Sequence, residues 1–211
     1  MIIMNPRQLS ALLTAPRKTY RQLTGHPKLH FTALWIVIIA GISQAFAQNA
    51  RETAPLETDS ALFTFLAAAG IIAAFLVFQI ITFYLNGLIL KLVILIFQGS
   101  MNAREARTIY GLSLFPQAII FPIIFLLYLG QLMGNGDTAT LLTAIAGVLT
   151  ATASIWTIVT QVNLISAASG FSGGKAFGAF VVFALLLTLL IFIIVLLLAL
   201  MAIFFFGVFS S

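Results

Sequence analysis

The chain is 211 residues long, 62% hydrophobic and only 7% charged, with a net charge of +5 and no cysteine. That composition excludes a soluble globule of ordinary type, and the missing cysteines exclude a disulfide framework, a thiolate metal site and a thiol nucleophile. The positive charge sits mostly before residue 31, on Arg7, Arg17, Lys18, Arg21 and Lys28 with no acid among them, and so points to anionic lipid headgroups rather than to nucleic acid.

Residues 1–30 read as a basic, partly helical cytoplasmic or interfacial segment. Asn5 before Pro6 is a helix start, Leu9, Leu12 and Leu13 share one face, and Pro16 opens a second short helix with Tyr20 and Leu23 on one side before Gly25. Arg17, Lys18 and Arg21 surround those apolar residues, as suits a helix lying in the inner headgroup layer; a mobile basic tail is the alternative. The basic lead, the apolar run 34–42 and Ala45-Phe46-Ala47 imitate a secretory signal. A 30-residue polar lead is long for one, so the segment is expected to stay attached.

Residues 31–211 read as one all-α domain, a bundle of five transmembrane helices. The apolar stretches are 31–48, 61–90, 112–132, 139–168 and 176–209, each close to or above the roughly 20 residues that cross the hydrocarbon core as a helix. Unbroken apolar runs lack the alternation of a barrel, and lipid leaves no other spanning structure. Charges alternate along the connections: Lys91, Arg104, Arg107 and Lys175 fall on the same side as the N-terminus with only Glu105, whereas Glu52, Glu57, Asp59 and Asp137 fall opposite with only Arg51. Retention of Lys and Arg in the cytoplasm then places the N-terminus inside and the C-terminus outside.

The second stretch carries Gln79, Thr82 and Asn86 on one face, beside Gly87. An amide in hydrocarbon needs a partner, so Gln79 and Asn86 are expected to pair with the fourth stretch or with Gln117. Lys91 marks the inner boundary; residues 88–98 either lie at the interface or continue the helix, with 92–97 folding onto 103–115. In the third stretch Pro116 and Pro122 predict a bent helix. The fourth places Thr143, Gly147, Thr150, Ser154, Thr157 and Gln161 on one stripe, read as the central packing seam or as part of a hydrophilic path with Asn163. The fifth is almost unbroken Leu, Ile, Val and Phe, and should be peripheral or an oligomer contact.

At 110–116 the chain reads Tyr-Gly-Leu-Ser-Leu-Phe-Pro, at the inner entrance to the third stretch. With five spans, the inward N-terminus and Ala15-Pro16-Arg17-Lys18-Thr19-Tyr20 ahead of the first span, this resembles the Yip family, small membrane proteins named for interacting with Ypt and Rab GTPases, in its short prokaryotic branch. Eukaryotic relatives carry Asp-Leu-Tyr-Gly-Pro before the first span; here Leu23-Thr24-Gly25-His26-Pro27 lacks the Asp and Tyr. A Rab-type GTPase is therefore not the expected partner. The resemblance implies a non-enzymatic adaptor in the bacterial inner membrane that binds itself or other membrane proteins. Tyr110, Gly111 and Pro116 are the expected contacts, and Arg17, Lys18, Arg104 and Arg107 are expected to touch anionic lipid or an acidic partner.

Gly170-Phe171-Ser172-Gly173-Gly174 fits the G-x-S-x-G serine pattern, but no strand precedes it and only His26 and His30 could act as base. Ser169 or Ser172 capping the fifth helix explains it more simply. His26 and His30 are a lone pair interrupted by Pro27, no metal cluster or nucleotide fingerprint is present, and no cofactor is expected. With no Asp, Glu, His or Arg inside the spans, coupled transport is disfavoured. A passive route for lipid or a small neutral solute past Gln79, Asn86, Gln117, Gln161 and Asn163 is the rival reading.

Overall fold

A computed structural model describes residues 6–49, 61–133 and 136–209, and every element among them is a helix. In chain order these are α1 (Pro6–Thr14), α2 (Pro16–Leu23), α3 (Leu29–Asn49), α4 (Ala61–Ile96), α5 (Ala103–Ser113), α6 (Phe115–Ile119), α7 (Phe121–Met133), α8 (Gly136–Ser169) and α9 (Gly173–Phe209). Four of them, α3, α4, α8 and α9, are long and apolar enough to cross a membrane, and they lie over the first, second, fourth and fifth apolar stretches. Residues 50–60, with the acids expected on the outer connection, lie outside the described residues.

The third stretch departs from the expected single bent helix. The chain is already helical from Ala103, breaks at Leu114 and breaks again at Ile120. Pro116 and Pro122 each stand at the second position of the helix that follows, where a missing N–H is harmless, but neither can donate to a carbonyl in the preceding turn. Two prolines six residues apart therefore divide one apolar run into three helices. α5 runs alongside α3 and against α4, filling the space between α3, α4 and α8.

This makes α3 and α5 the centre, not α8. In its most apolar window α3 is 44% buried, against 17% for α8 and 6% for α9. On α8 burial is concentrated toward the C-terminal half, at Ala153, Thr157, Thr160, Gln161, Leu164, Ile165 and Ser166. Thr150 and Ser154 are half-buried and bond back to their own helix, to the carbonyls of Ala146 and Thr150, both at 2.8 Å. Only one half of the small-residue stripe is thus a seam. α9 is peripheral, as its composition predicts: Ala176, Ala179 and Phe183 are buried, while residues 191–205 are exposed throughout.

Glycines set the closest approaches. A Cβ on Gly111 would stand 2.6 Å from the Ala33 carbonyl oxygen, so α5 and α3 meet backbone to backbone there. Gly87 admits the stem of Arg107 against α4, and Gly41 admits the end of Gln79 against α3. Lys91 does not end the second helix: α4 continues through it to Ile96, and residues 97–102 then turn the chain into α5.

Candidate functional site

The polar and charged chemistry gathers at one end of the bundle, where α1, α2 and the α4–α5 and α8–α9 turns meet. α2 is held there by its apolar side: Pro16, Thr19, Tyr20 and Leu23 are buried, and Arg17, Lys18, Arg21 and Gln22 face outward. Two long-range bonds lock the pair of short helices onto α8. Trp156 Nε1 donates to the Leu13 carbonyl at 3.1 Å, and Arg17 Nε donates to Asn163 Oδ1 at 2.8 Å. The N-terminal helices are therefore docked on the bundle, with Lys18, Arg21 and Gln22 of α2 facing outward. Asn163 is thus part of this junction.

Beside α2 lies a cavity of about 180 Å³ between the α2–α3 turn, the first turn of α3 and the start of α5. Gly25 closes the turn at φ +93°, a left-handed conformation that glycine adopts without strain. Across from it, α5 starts at a reciprocal cap. Asn102 Oδ1 accepts the Glu105 N–H at 2.8 Å, and Glu105 Oε2 accepts the Asn102 N–H at 3.0 Å. Arg104 Nη2 donates to the Pro27 carbonyl at 2.7 Å, tying α5 to the turn. Deeper, His30 Nδ1 and Thr108 Oγ1 lie 3.3 Å apart, and the His30 ring packs on Phe83 at 5.2 Å. His26 Nδ1 accepts the Lys28 N–H and His30 meets Thr108, so among the described residues neither histidine bonds to the serine pattern; Ser172 Oγ instead accepts the Lys175 N–H at 3.4 Å and caps α9.

Tyr20 forms part of the cavity wall and is 4% exposed. Burial, and secondarily the Glu105 carboxylate, push its phenol up from 10.0 to about 12. The folded chain thus favours the neutral phenol. The stability this contributes is complete below pH 10 and declines as the pH climbs from 10.0 toward 12. Alkaline absorbance titration should place the phenolate signal lost in Tyr20→Phe at this late step; a signal centred at pH 10 would contradict the burial.

The residues expected to meet a partner fall elsewhere. Tyr110 is half-buried, its ring 6.4 Å from that of Phe183 on α9 and its hydroxyl beside Asn86. Gly111 and Pro116 are buried, the first against α3 and the second at the start of α6. All three are engaged by the chain's own helices. Arg107 donates to the Ala103 carbonyl at 3.0 Å and lies 4.6 Å over the Tyr84 ring, Arg104 is tied to Pro27 and Arg17 to Asn163, so of the four cations singled out Lys18 is the one facing outward with no such bond among the described residues.

The intramembrane amides pair differently from expectation as well. Asn86 meets Tyr110, and Gln79 covers Gly41. Gln117 accepts from Gln44 Nε2 at 2.6 Å and donates to Ser154 Oγ at 3.4 Å, linking α3, α6 and α8. Gln44 was missed: it is one of two glutamines in the first apolar stretch, with Gln48, and nothing in its own spacing marks the partner. Buried atoms without a partner among the described residues are the hydroxyls of Thr157 and Thr160, Nε2 of Gln161 and both amide atoms of Gln131.

No curated protein and no solved structure matches the chain. The family model described as the Yip1 domain matches residues 10–197, from α1 through most of α9, and so takes in the docked N-terminal helices together with the bundle. The chain is an integral membrane protein of the Yip1 domain family.

Proposed function

We propose that this protein is a non-enzymatic membrane adaptor or organising factor, carrying one partner surface at its basic end and a second along α9. The reading takes the chain through the bilayer five times, with α5, α6 and α7 together forming the third crossing. The N-terminus lies in the cytoplasm and the C-terminus opposite, in a bacterial inner membrane. Charge alternation along the connections supports that orientation.

The observation that carries the proposal is the mounting of α2. Its apolar side is buried against the bundle and Arg17 reaches back to Asn163, while Lys18, Arg21 and Gln22 face away, so a basic surface is held in place at the membrane face. An acidic protein segment or anionic headgroups complement such a surface. The exposed outer part of α9 offers apolar area for self-association or for another membrane protein.

Because the chain has no cysteine, Gln22→Cys on α2 and Val195→Cys on α9 report contacts cleanly in native membranes. The expected result is a discrete protein adduct at Gln22→Cys, reduced about tenfold when Lys18 and Arg21 become glutamine, and a disulfide-linked pair at Val195→Cys. Uniformly monomeric, adduct-free protein would defeat the adaptor reading. A second reading, a passive route for lipid or a small neutral solute, draws its support from the orphaned polar atoms of Thr157, Thr160, Gln161 and Gln131.

A further inference from the structure

We propose that the cavity beside α2 binds the headgroup of an ethanolamine phospholipid, with the phosphate against Arg104, the ammonium against Glu105 and an acyl chain laid along α3. Depth is the first reason. Leu29 and His30 line the cavity, and Leu29 is the first residue of a helix long and apolar enough to cross the membrane, which puts the cavity at the level of the headgroups.

Charge is the second. Arg104 and Glu105 are adjacent on α5 and both line the cavity. Each has spare capacity: Arg104 uses Nη2 on Pro27, leaving further N–H groups, and Glu105 uses Oε2 on Asn102, leaving its other oxygen. A neighbouring cation and anion complement a phosphate and an ammonium joined by two carbons. A purely anionic headgroup would meet Glu105 unfavourably, and a choline has no N–H to give it. Tyr20 is the third reason, since it lines the same cavity and its hydroxyl is a donor suited to a phosphate oxygen.

A separate apolar groove lies further along α3. One turn beyond Leu29, Thr32 begins this groove of about 100 Å³, formed by Trp35, Ile36 and Ile39 of α3 with Phe115 and Ile119 of α6. Trp35 is 43% exposed there, leaving a wall for an acyl chain to cover. The headgroup cavity and the outward side of α2 are different surfaces, so loss of lipid selectivity and loss of a protein partner are separable results.

The test equilibrates the full chain in neutral detergent with ethanolamine, choline and glycerol phospholipids of matched chains, and measures by mass spectrometry the lipid kept after washing. Ethanolamine lipid should be retained about tenfold over the other two. Glu105→Gln should remove that preference, since glutamine preserves the helix cap but not the charge. Tyr20→Phe should weaken retention, and Trp35→Ala should weaken all lipids without altering their ratio, with helicity confirming that each variant is folded. Equal retention of the three lipids, or an unchanged preference in Glu105→Gln, would overturn the site. Competition by free phosphoethanolamine or inorganic phosphate as effective as the lipid itself would overturn the lipid as occupant.

Discussion

Gly111→Val is expected to be the most damaging single substitution in the protein. The new side chain would start 2.6 Å from the Ala33 carbonyl oxygen and 2.8 Å from the Ala33 Cβ, and the obstruction includes backbone that cannot swing aside. α5 would have to lift from α3, and because it also packs on α4 and α8 the displacement would spread to all three. Overpacking in a well-filled interior costs about 1–3 kcal/mol, and a clash against main chain belongs at or above the top of that range. Gly174→Ala supplies the comparison, since nothing lies within 4 Å of a Cβ there and alanine is the better helix former. Thermal unfolding in detergent should show Gly111→Val far below the parent and Gly174→Ala level with it or slightly above. A Gly111→Val protein of parental stability would mean that α3 and α5 do not meet as described.

Gln117→Leu should come next, at a cost of about 1–3 kcal/mol. Its amide stands between Gln44 and Ser154, and replacing it leaves the Gln44 Nε2, on the outer side of α3 in apolar surroundings, without its acceptor. The informative comparison is the pair Gln44→Leu with Gln117→Leu. Removing both amides takes away the orphaned donor, so the double variant should recover a good part of the lost stability. Solute flux through reconstituted vesicles then separates the two functional readings. If these amides only pack, flux is the same before and after. If they line a passive route, the stable double variant loses it.

Among the Yip1 domain features, the membrane helices were the easiest to read. Lipid demands long runs of apolar residues whose backbone groups are satisfied within the helix, so α3, α4, α8 and α9 announce themselves by composition alone. The two short basic helices were legible for a similar reason: Pro6 and Pro16 open them, and leucines recur on one face. The division of the third run was only half visible. Pro116 and Pro122 foretold a bend, but that the helix begins at Ala103 and sits between three others depends on Asn102 and Glu105 capping it and on Gly87 and Gly111 letting it approach.

The site itself was the least legible part. Tyr110, Gly111 and Pro116 stand out in the sequence as an unusual heptad, and in the structure three of the chain's own helices converge on them. Tyr20, Gly25, Arg104 and Glu105 look unremarkable and are scattered across 86 positions, from residue 20 to residue 105, before the chain closes a cavity around them.

Composition and periodicity, which are properties of a single segment and its solvent, were enough to establish a membrane protein of long apolar helices with a basic leading segment. Which polar atoms pair, which face of α8 is buried and which cations remain outward depended on the helices being packed. Each of those is a relation between residues far apart in the chain: the Gln44 amide finds Gln117 only when α3 and α6 lie side by side, and Arg17 finds Asn163 only when α2 closes over α8.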